Sequence, residues 1–268
     1  SLGNEAGYGE THDLMAKWLR VRDPRRFVQY ESGGARTSAT DIICPMYKGT
    51  DWCQHEAIHD SLQRPVILCE YAHAMGNSGG ALAKYWESFR NPDYPRFQGG
   101  FIWDFVDQGL WSEERKGFVF GGDHGEVPHS GNFCINGLVS PDRKVLFPDM
   151  LETAYLQSPV HVSLFHNQRN DKSTKVTDEK VLLEVINHRS FADLSDLLIQ
   201  CQLRVHSCPF QPAFAFPFFY AEIGQVLPGQ RRVIDIDRKI RDSIKKVEGK
   251  ITQQLLQPLP ISSSGAYY

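Results

Sequence analysis

The stretch from Pro65 to Asn77 constrains the fold of this chain more than any other feature. Four apolar residues, Val66 to Cys69, run directly into Glu70. This order is typical of a strand that is buried on both faces and carries polar groups at its carboxyl end. In a parallel barrel the strand supplies the core and the loop after it supplies the site. The pattern therefore predicts that Glu70 faces a pocket, with a salt-bridged carboxylate at a strand end as the alternative.

A second carboxylate lies near the start of the chain. Residues 1–9 form a glycine-rich segment that presents Asn4 and Glu5 ahead of a helical pattern. A pair of carboxylates can divide acid–base and nucleophilic work between its members. The presence of Glu5 therefore favours the functional interpretation of Glu70.

Strands and helices alternate in the first part of the chain. Apolar spacing predicts helices over 12–19, 51–62 and 82–89, and short apolar runs predict strands over 28–31, 42–44, 66–69 and 101–106. With a stub before Glu5, this gives five strands in parallel βαβ units. Residues 109–157 lose the alternation and are predicted to form a loop region over the site.

The pattern changes to strands without intervening helices at about Ser158. The predicted strands cover 160–165, 181–187, 197–205, 218–223 and 232–236. Such a series is typical of a small β-sandwich of immunoglobulin type. A Phe- and Pro-rich stretch at 208–219 and a tail at 251–268 without a readable register indicate that the sandwich is interrupted or incomplete. The sequence therefore predicts two domains, an α/β domain over 1–157 and an all-β domain over 158–268.

Charge and composition exclude several classes of partner. The net charge is only −3, and the basic residues are scattered, so no nucleic-acid partner is predicted. No apolar run approaches the ~20 residues that span a bilayer, so no membrane partner is predicted either. The six cysteines include no CxxC pair and suggest buried free thiols. The sequence contains no Asn-x-Ser/Thr acceptor for glycosylation, which agrees with a cytoplasmic protein.

Five motifs together carry a resemblance to a known family. They are GNE at 3–5, DIICPMY at 41–47, ILCEYAHAMGN at 67–77, GGFIWDFVDQ at 99–108 and FCINGLV at 133–139. In order and spacing they resemble the catalytic barrel of the lactose-type β-galactosidases, glycoside hydrolase family two, most closely over residues 1–150. The resemblance implies strands four to eight of a TIM (β/α)8 barrel followed by an immunoglobulin-like sandwich. Because position 1 is Ser and the chain opens inside the expected end of a strand, we expect an interior piece of a longer protein.

The resemblance also implies a reaction and a set of site residues. It implies a retaining hydrolase of terminal β-galactosides such as lactose, with Glu5 as acid/base and Glu70 as nucleophile. A retaining outcome places two such carboxyl groups about 5–5.5 Å apart. The implied substrate-binding residues are Asn4, Tyr47, His73, Trp103 and Asn136.

Two metal ions are implied in the same way. A Mg²⁺ ion would bind Glu5 together with a Glu and a His that lie upstream of this chain. A Na⁺ ion would bind the carbonyl of Phe133 and the side chain of Asn136, together with an upstream Asp. The parent protein is expected to be a homo-oligomer. One departure from the family pattern is Tyr8, where many relatives have His.

A rival motif points to a different chemistry. His55-Glu56-Ala57-Ile58-His59 is a literal H-E-x-x-H, which on a helix would give two zinc ligands, His55 and His59, with Glu56 as the general base of a metallopeptidase. The metzincin extension fails, because Leu62 and Pro65 stand where Gly and His are required.

Two further interpretations remain open from the sequence. The H-E-x-x-H segment is also compatible with a solvated helix face that turns Ile58 and Leu62 inward. The whole chain is also compatible with a non-catalytic carbohydrate-binding pseudoenzyme fragment, because half a barrel leaves strand edges and apolar faces open.

Overall fold

The computed structural model describes residues 1–165, 180–205 and 214–245. The chain divides into two compact units, Ser1–Gln157 and Ser158–Tyr268. Among the described residues, no helix combines the length and the apolar character that a membrane crossing requires.

The first unit contains short helices and strands in alternation. Its elements are α1 (Glu10–Arg22), α2 (Thr50–His59), β1 (Val66–Tyr71), α3 (Ala83–Phe89), β2 (Phe97–Ile102), β3 (Leu110–Ser112), β4 (Gly117–Val119), a 3-10 turn (Gly131–Cys134) and α4 (Pro148–Leu156). The three predicted helices are confirmed, although α2 ends at His59 rather than at Leu62. The region at 109–157, which was predicted to be a loop, contains the β3–β4 hairpin and α4. Apolar spacing did not reveal these elements because each contains too few apolar residues.

The main core of the first unit lies between β1, β2 and the helices α2 and α3. The two strands pair in parallel, with Val66 opposite Phe97 and Tyr71 opposite Ile102. Val66, Leu68 and Phe97 are completely buried. The predicted strand at 101–106 was placed four residues too late, because Gly99 and Gly100 look unfavourable in a strand. A Cβ at position 100 would lie 2.9 Å from the ring of Tyr71, so glycine there allows β2 to approach β1 closely.

Two other predicted strands do not form continuous ladders. The segment at 42–46 runs beside β1 with bridges at Ile43 and Met46, and Pro45 between them has no N–H to donate. The segment at 28–31 is not a strand. Its backbone donates to side chains instead, from Val28 N–H to Asp41 Oδ2 and from Tyr30 N–H to Thr40 Oγ1. No closed barrel forms among the described residues.

A smaller core holds the start of the chain. Leu2, Val28 and Tyr30 pack around Ala16, which is the one fully buried side chain of α1. Leu19 of α1 also packs against this core, whereas Leu14 and Trp18 lie outside it and are 59% and 64% exposed.

The second unit is built mainly from antiparallel strands. Its described elements are β5 (Val160–Phe165), β6 (Leu182–Asn187), β7 (Leu198–Cys201), β8 (Arg204–Val205), β9 (Phe214–Ala215), β10 (Phe219–Glu222), β11 (Arg231–Asp235) and α5 (Asp237–Lys245). One sheet has the order β11-β6-β5, and a second pairs β10 with β7. Four of the five predicted strands are confirmed, while the predicted strand at 197–205 is divided into β7 and β8, which pair with different partners. The helix α5 was not predicted. Residues 206–213 of the Phe- and Pro-rich stretch, and the whole tail at 251–268, lie outside the described residues.

Side chains from both sheets share the core of the second unit. Leu183 on β6 packs with Ala221 on β10, and Val185 on β6 packs with Ile223 just after β10. Residues of the two antiparallel sheets thus belong to the same core clusters.

Candidate functional site

Tyr47 and Glu70 form the centre of the candidate site at the carboxyl end of β1. The backbone N–H of Tyr47 donates to the carbonyl of Glu70 at 2.9 Å, next to the bridge between Met46 and Glu70. The hydroxyl of Tyr47 donates a short hydrogen bond to the Glu70 carboxylate. The segment beside β1 therefore fixes Glu70 by its main chain and by its side chain.

The pKa of the Tyr47 phenol is affected by two carboxylates, those of Glu70 and Glu5. Partial burial, then the hydrogen bond to Glu70, and then the negative charges of Glu70 and Glu5 raise the pKa of Tyr47 above its usual range. The phenol therefore stays protonated and continues to donate at neutral pH. The charges of Glu70 and Glu5 thus act on the same phenol.

Glu5 lies on an exposed turn that is held through its backbone. Its φ of 50° is in the left-handed region, which is uncommon for a residue with a side chain. The backbone N–H of Glu5 donates to Glu31 Oε1 at 2.6 Å, and Glu31 itself is only 8% exposed. Asn4 lies beside Glu5 on the same exposed turn.

His73 follows β1 and packs between two aromatic rings. Its imidazole meets the ring of Tyr47 edge-on, with centroids 5.9 Å apart, and lies tilted against Phe133 at 5.3 Å. This packing joins the loop after β1 to the 3-10 turn.

The buried amide of Asn136 connects the aromatic residues of the site. Its polar atoms are satisfied when the oxygen accepts from Trp103 Nε1 at 3.3 Å and from His73 Nε2 at 3.0 Å, and the nitrogen donates to Asp104 Oδ1 at 3.0 Å. Asp104 Oδ2 in turn accepts from Gln108 at 2.7 Å. Trp103 extends β2 by donating its backbone N–H to Tyr71. One amide thus sets the orientation of both rings.

The comparison with known proteins places this geometry in a family. Residues 1–162 match the family model described as the TIM barrel domain of the glycosyl hydrolases family 2. The chain belongs to glycosyl hydrolase family 2. The predicted resemblance is therefore confirmed, and the α/β part of the chain is a family 2 barrel domain.

Several curated relatives of this family 2 chain are named β-galactosidases. It is 54% identical over 157 residues to β-galactosidase 2 of Enterobacter cloacae, which covers 53% of this chain and 15% of the relative. It is 46% identical over 203 residues to a β-galactosidase of Aeromonas hydrophila, and the match covers 70% of this chain and 19% of the relative. It is 51% identical over 189 residues to a β-galactosidase of Vibrio cholerae, and the match covers 63% of this chain and 18% of the relative. The chain thus spans less than a fifth of the length of each.

Most of the predicted site residues of the family 2 chain lie together. Direct contacts join Tyr47, Glu70, His73, Trp103, Phe133 and Asn136. Glu5 joins them through its charge, while Asn4 is placed only by its neighbour. Sequence reasoning missed Glu31 and Asp104, although Glu31 follows the stretch 27–30, which is apolar except for Gln29, much as Glu70 follows the run 66–69. That similarity was the available signal.

Tyr8, the departure from the family 2 pattern, is held by hydrogen bonds to residues outside the Glu5 turn. Its hydroxyl donates to Asp13 at 2.7 Å and lies 3.2 Å from Ser38 Oγ. Gly33 makes room for it, because a Cβ there would lie 2.9 Å from the Tyr8 side chain. The tyrosine therefore has its own partners.

The H-E-x-x-H segment lies on α2, as predicted, but its groups are used otherwise. The rings of His55 and His59 stack on each other at 4.3 Å, so both are on one helix face. Glu56, which would have to act as general base, is only 5% exposed and forms an ion pair with Arg36 at 3.0 Å. In the part of the chain that the structure describes, no three His, Cys, Asp or Glu side chains cluster to hold a metal ion. The zinc peptidase alternative is not favoured.

The alternative packing predicted for this helix is also wrong in part. Ile58 is 52% and Leu62 is 70% exposed, so neither turns inward. The buried face of α2 is formed by Cys53, Glu56 and Ala57, and the small side chains of Cys53 and Ala57 pack into the core beside β1 and β2.

The groups that the family resemblance assigns to metals fit unequally. For Mg²⁺ the described residues supply one ligand, the exposed carboxylate of Glu5. For Na⁺ the fit is better. The Asn136 atom that accepts from His73 lies 3.3 Å from the carbonyl oxygen of Phe133, so two oxygens face each other there. Paired carbonyl and amide oxygens are ligands that hard cations take.

Proposed function

We propose that this chain carries the two catalytic carboxylates of a retaining β-galactosidase. One observation supports the assignment above the others: the Tyr47 hydroxyl is bonded to Glu70 at the end of a central parallel strand, and the charge of Glu5 acts on the same phenol. The names of the relatives support the choice of β-galactosides as substrates.

Glu70 acts as the nucleophile and Glu5 as the acid/base. In the first step a Glu70 oxygen bonds to the anomeric carbon while the glycosidic C–O bond breaks, and the proton of Glu5 passes to the leaving oxygen. In the second step Glu5 takes a proton from water, and the water oxygen bonds to the anomeric carbon. The ester to Glu70 breaks and its carboxylate is restored. Two inversions give net retention.

The neighbouring side chains orient the sugar and the nucleophile. Tyr47 holds one carboxylate oxygen of Glu70, so the other is free to attack. Trp103, which is 39% exposed, offers a ring face to the apolar side of galactose, and His73 and Asn4 bind sugar hydroxyls. Asn136 takes part by holding the rings of Trp103 and His73 in place.

The remaining assignments belong to the same proposal. Glu5 would bind Mg²⁺, and Phe133 and Asn136 would bind Na⁺, with further ligands outside this chain. Such ions would supply fixed positive charge near the reacting groups. We also propose that 1–157 comprises barrel strands four to eight, that 158–268 is an immunoglobulin-like sandwich, and that the parent protein is a cytoplasmic homo-oligomer.

The test is to trap the covalent intermediate in the full-length protein. A 2-deoxy-2-fluoro-β-galactoside with a good leaving group slows the second step, so the sugar ester accumulates, and peptide mapping should place it on Glu70. In Glu70→Gln we expect kcat for an aryl β-galactoside to fall by ~10⁴ or more. Glu87→Gln, an exposed carboxylate on α3, is the matched control and should be unaffected. A sugar ester elsewhere, or retention of a tenth of kcat in Glu70→Gln, contradicts the assignment.

A further inference from the structure

We propose that Glu31 is a positioning residue for the acid/base step, and that its buried carboxylate sets the location of Glu5 through the Glu5 backbone. The inference rests on the proposed function and adds a residue to it. Glu31 Oε1 accepts from the Glu5 N–H at 2.6 Å and from Ser32 Oγ at 2.9 Å. Glu31 contacts the main chain of Glu5, so it acts on the reaction only through position.

The environment of Glu31 indicates a specific role. Glu31 is only 8% exposed, and burying a carboxylate is costly unless hydrogen bonds compensate for lost water. A hydrogen bond from a backbone N–H to a charged carboxylate is among the stronger ones in proteins. The burial cost of Glu31 is therefore offset in large part by the bond to Glu5.

The segment that contains Glu31 holds the Glu5 turn at three points. Leu2 N–H donates to Gln29 O at 3.1 Å, Glu5 N–H donates to Glu31, and the Tyr30 hydroxyl donates to Gly7 O. The central point is the one that bears on Glu5 itself. Glu5 has a positive φ, which a non-glycine residue keeps only when its surroundings hold it there.

The side chain of Glu5 is exposed, so packing around it does not fix its location. The main-chain bond to Glu31 therefore has the larger part in setting the position of Glu5. In general acid catalysis, the carboxyl proton must lie within hydrogen-bond reach of the leaving oxygen. A displacement of ~1 Å can cost on the order of 100-fold in rate. Loss of the Glu31 acceptor should therefore slow the step in which Glu5 donates its proton, and should leave steps that need little protonation nearly unchanged.

The test compares leaving groups in full-length protein. Glu31→Met keeps the length of the side chain and removes both acceptors, whereas Glu31→Gln keeps one acceptor. For phenyl β-galactoside, whose leaving group needs protonation, we expect kcat/KM of Glu31→Met to fall about 30-fold or more. For 2,4-dinitrophenyl β-galactoside, which leaves with little protonation, the fall should stay within about threefold. Glu31→Gln should recover most of the loss, and Ser32→Ala should leave both substrates unaffected.

Two outcomes would overturn the role of Glu31. Equal losses on the two substrates would mean that the residue is structural only, and unchanged rates on both would mean that the bond is not used. If Glu31→Met does not fold, Glu31→Asp serves instead, since it keeps the charge and shortens the reach; it should show the same selective loss on the phenyl substrate. Failure of the proposed function is distinct, because the unmodified protein would then cleave neither substrate.

Discussion

The hydroxyl of Tyr47 and the backbone N–H of Tyr47 both bond to Glu70, the first to its carboxylate and the second to its carbonyl. One residue thus fixes Glu70, the proposed nucleophile, at two places. Only the main-chain bond is independent of the side chain at position 47. The two contributions can therefore be separated by mutation.

Tyr47→Phe should lower kcat on aryl β-galactosides by about 10- to 100-fold, because a hydrogen bond to a charged group contributes that much and the main-chain bond remains. The measurement is steady-state kinetics of full-length protein, with KM recorded separately. Tyr220→Phe removes an exposed hydroxyl that bonds to Gln200 and should change neither constant. An unchanged kcat in Tyr47→Phe would show that the phenol does not orient Glu70.

Asp60→Asn should loosen the segment 36–40. Arg64 pairs with Asp60 at 2.9 Å, both side chains are largely buried, and Arg64 also donates to the carbonyls of Arg36, Thr37 and Thr40. Amide hydrogen exchange at pH 6, followed by mass spectrometry, should become about tenfold faster in peptides that cover 36–43. Asp142→Asn, at a surface ion pair, is the control.

The same ion pair predicts an acid dependence. The hydrogen bond from Arg64 is the main reason that the pKa of Asp60 lies below its usual 3.8. The contribution of a carboxylate with a depressed pKa is complete above the unfolded value and is lost as the pH falls through the folded value. The difference in amide exchange rate between wild type and Asp60→Asn should therefore be complete at pH 6 and become smaller below about pH 3.8. A difference that grew in acid would refute this explanation.

His55→Ala should leave galactosidase activity within about threefold, because the His55 side chain is 63% exposed and its contacts are with His59 and Glu56 on its own helix. Metal analysis of the purified protein should find no stoichiometric zinc. The rival interpretation would be supported by one tightly bound zinc per chain that is lost in this variant together with peptidase activity.

Residues 1–268 expressed alone should self-associate and lack activity. The pair β1–β2 is a two-stranded sheet, and α1 exposes Leu14 and Trp18 to solvent. Light scattering should detect oligomers, and the double variant Leu14→Glu, Trp18→Glu should reduce them without restoring activity. A monodisperse chain that cleaves a β-galactoside with Mg²⁺ present would contradict this prediction.

Local patterns predicted the elements whose stability is local. The helix spacing of Leu82, Tyr85, Trp86 and Phe89 found α3, and the apolar run before Glu70 found β1. The segment at 28–31 alternates apolar and polar residues as a strand would, but Asp41 and Thr40 accept from its backbone N–H groups, and nothing in that alternation indicates those partners. Likewise, the glycines of β2 are explained only by the side chains of Leu68 and Tyr71 opposite them.

The same limit applies to the site. Motifs in a fixed order gave Glu5, Tyr47, Glu70 and Asn136, because each belongs to a stretch that is recognisable by itself. The hydrogen bond between Glu31 and the backbone of Glu5 joins residues 26 positions apart and involves no motif. Contacts of that kind depend on how two loops meet, which spacing along the chain does not specify.

The close approach of Gly137 to Asp107 bears on the deamidation of Asn136 in the site. A Cβ at 137 would lie 2.2 Å from the Asp107 backbone nitrogen, so only glycine fits after Asn136. An Asn-Gly pair is the sequence most open to deamidation, in which the glycine nitrogen attacks the side-chain amide and expels ammonia. Here that nitrogen donates a hydrogen bond to the buried carboxylate of Asp107 at 2.8 Å. The packing that requires glycine at 137 thus places a deamidation-prone pair in the site and gives its attacking nitrogen a fixed partner.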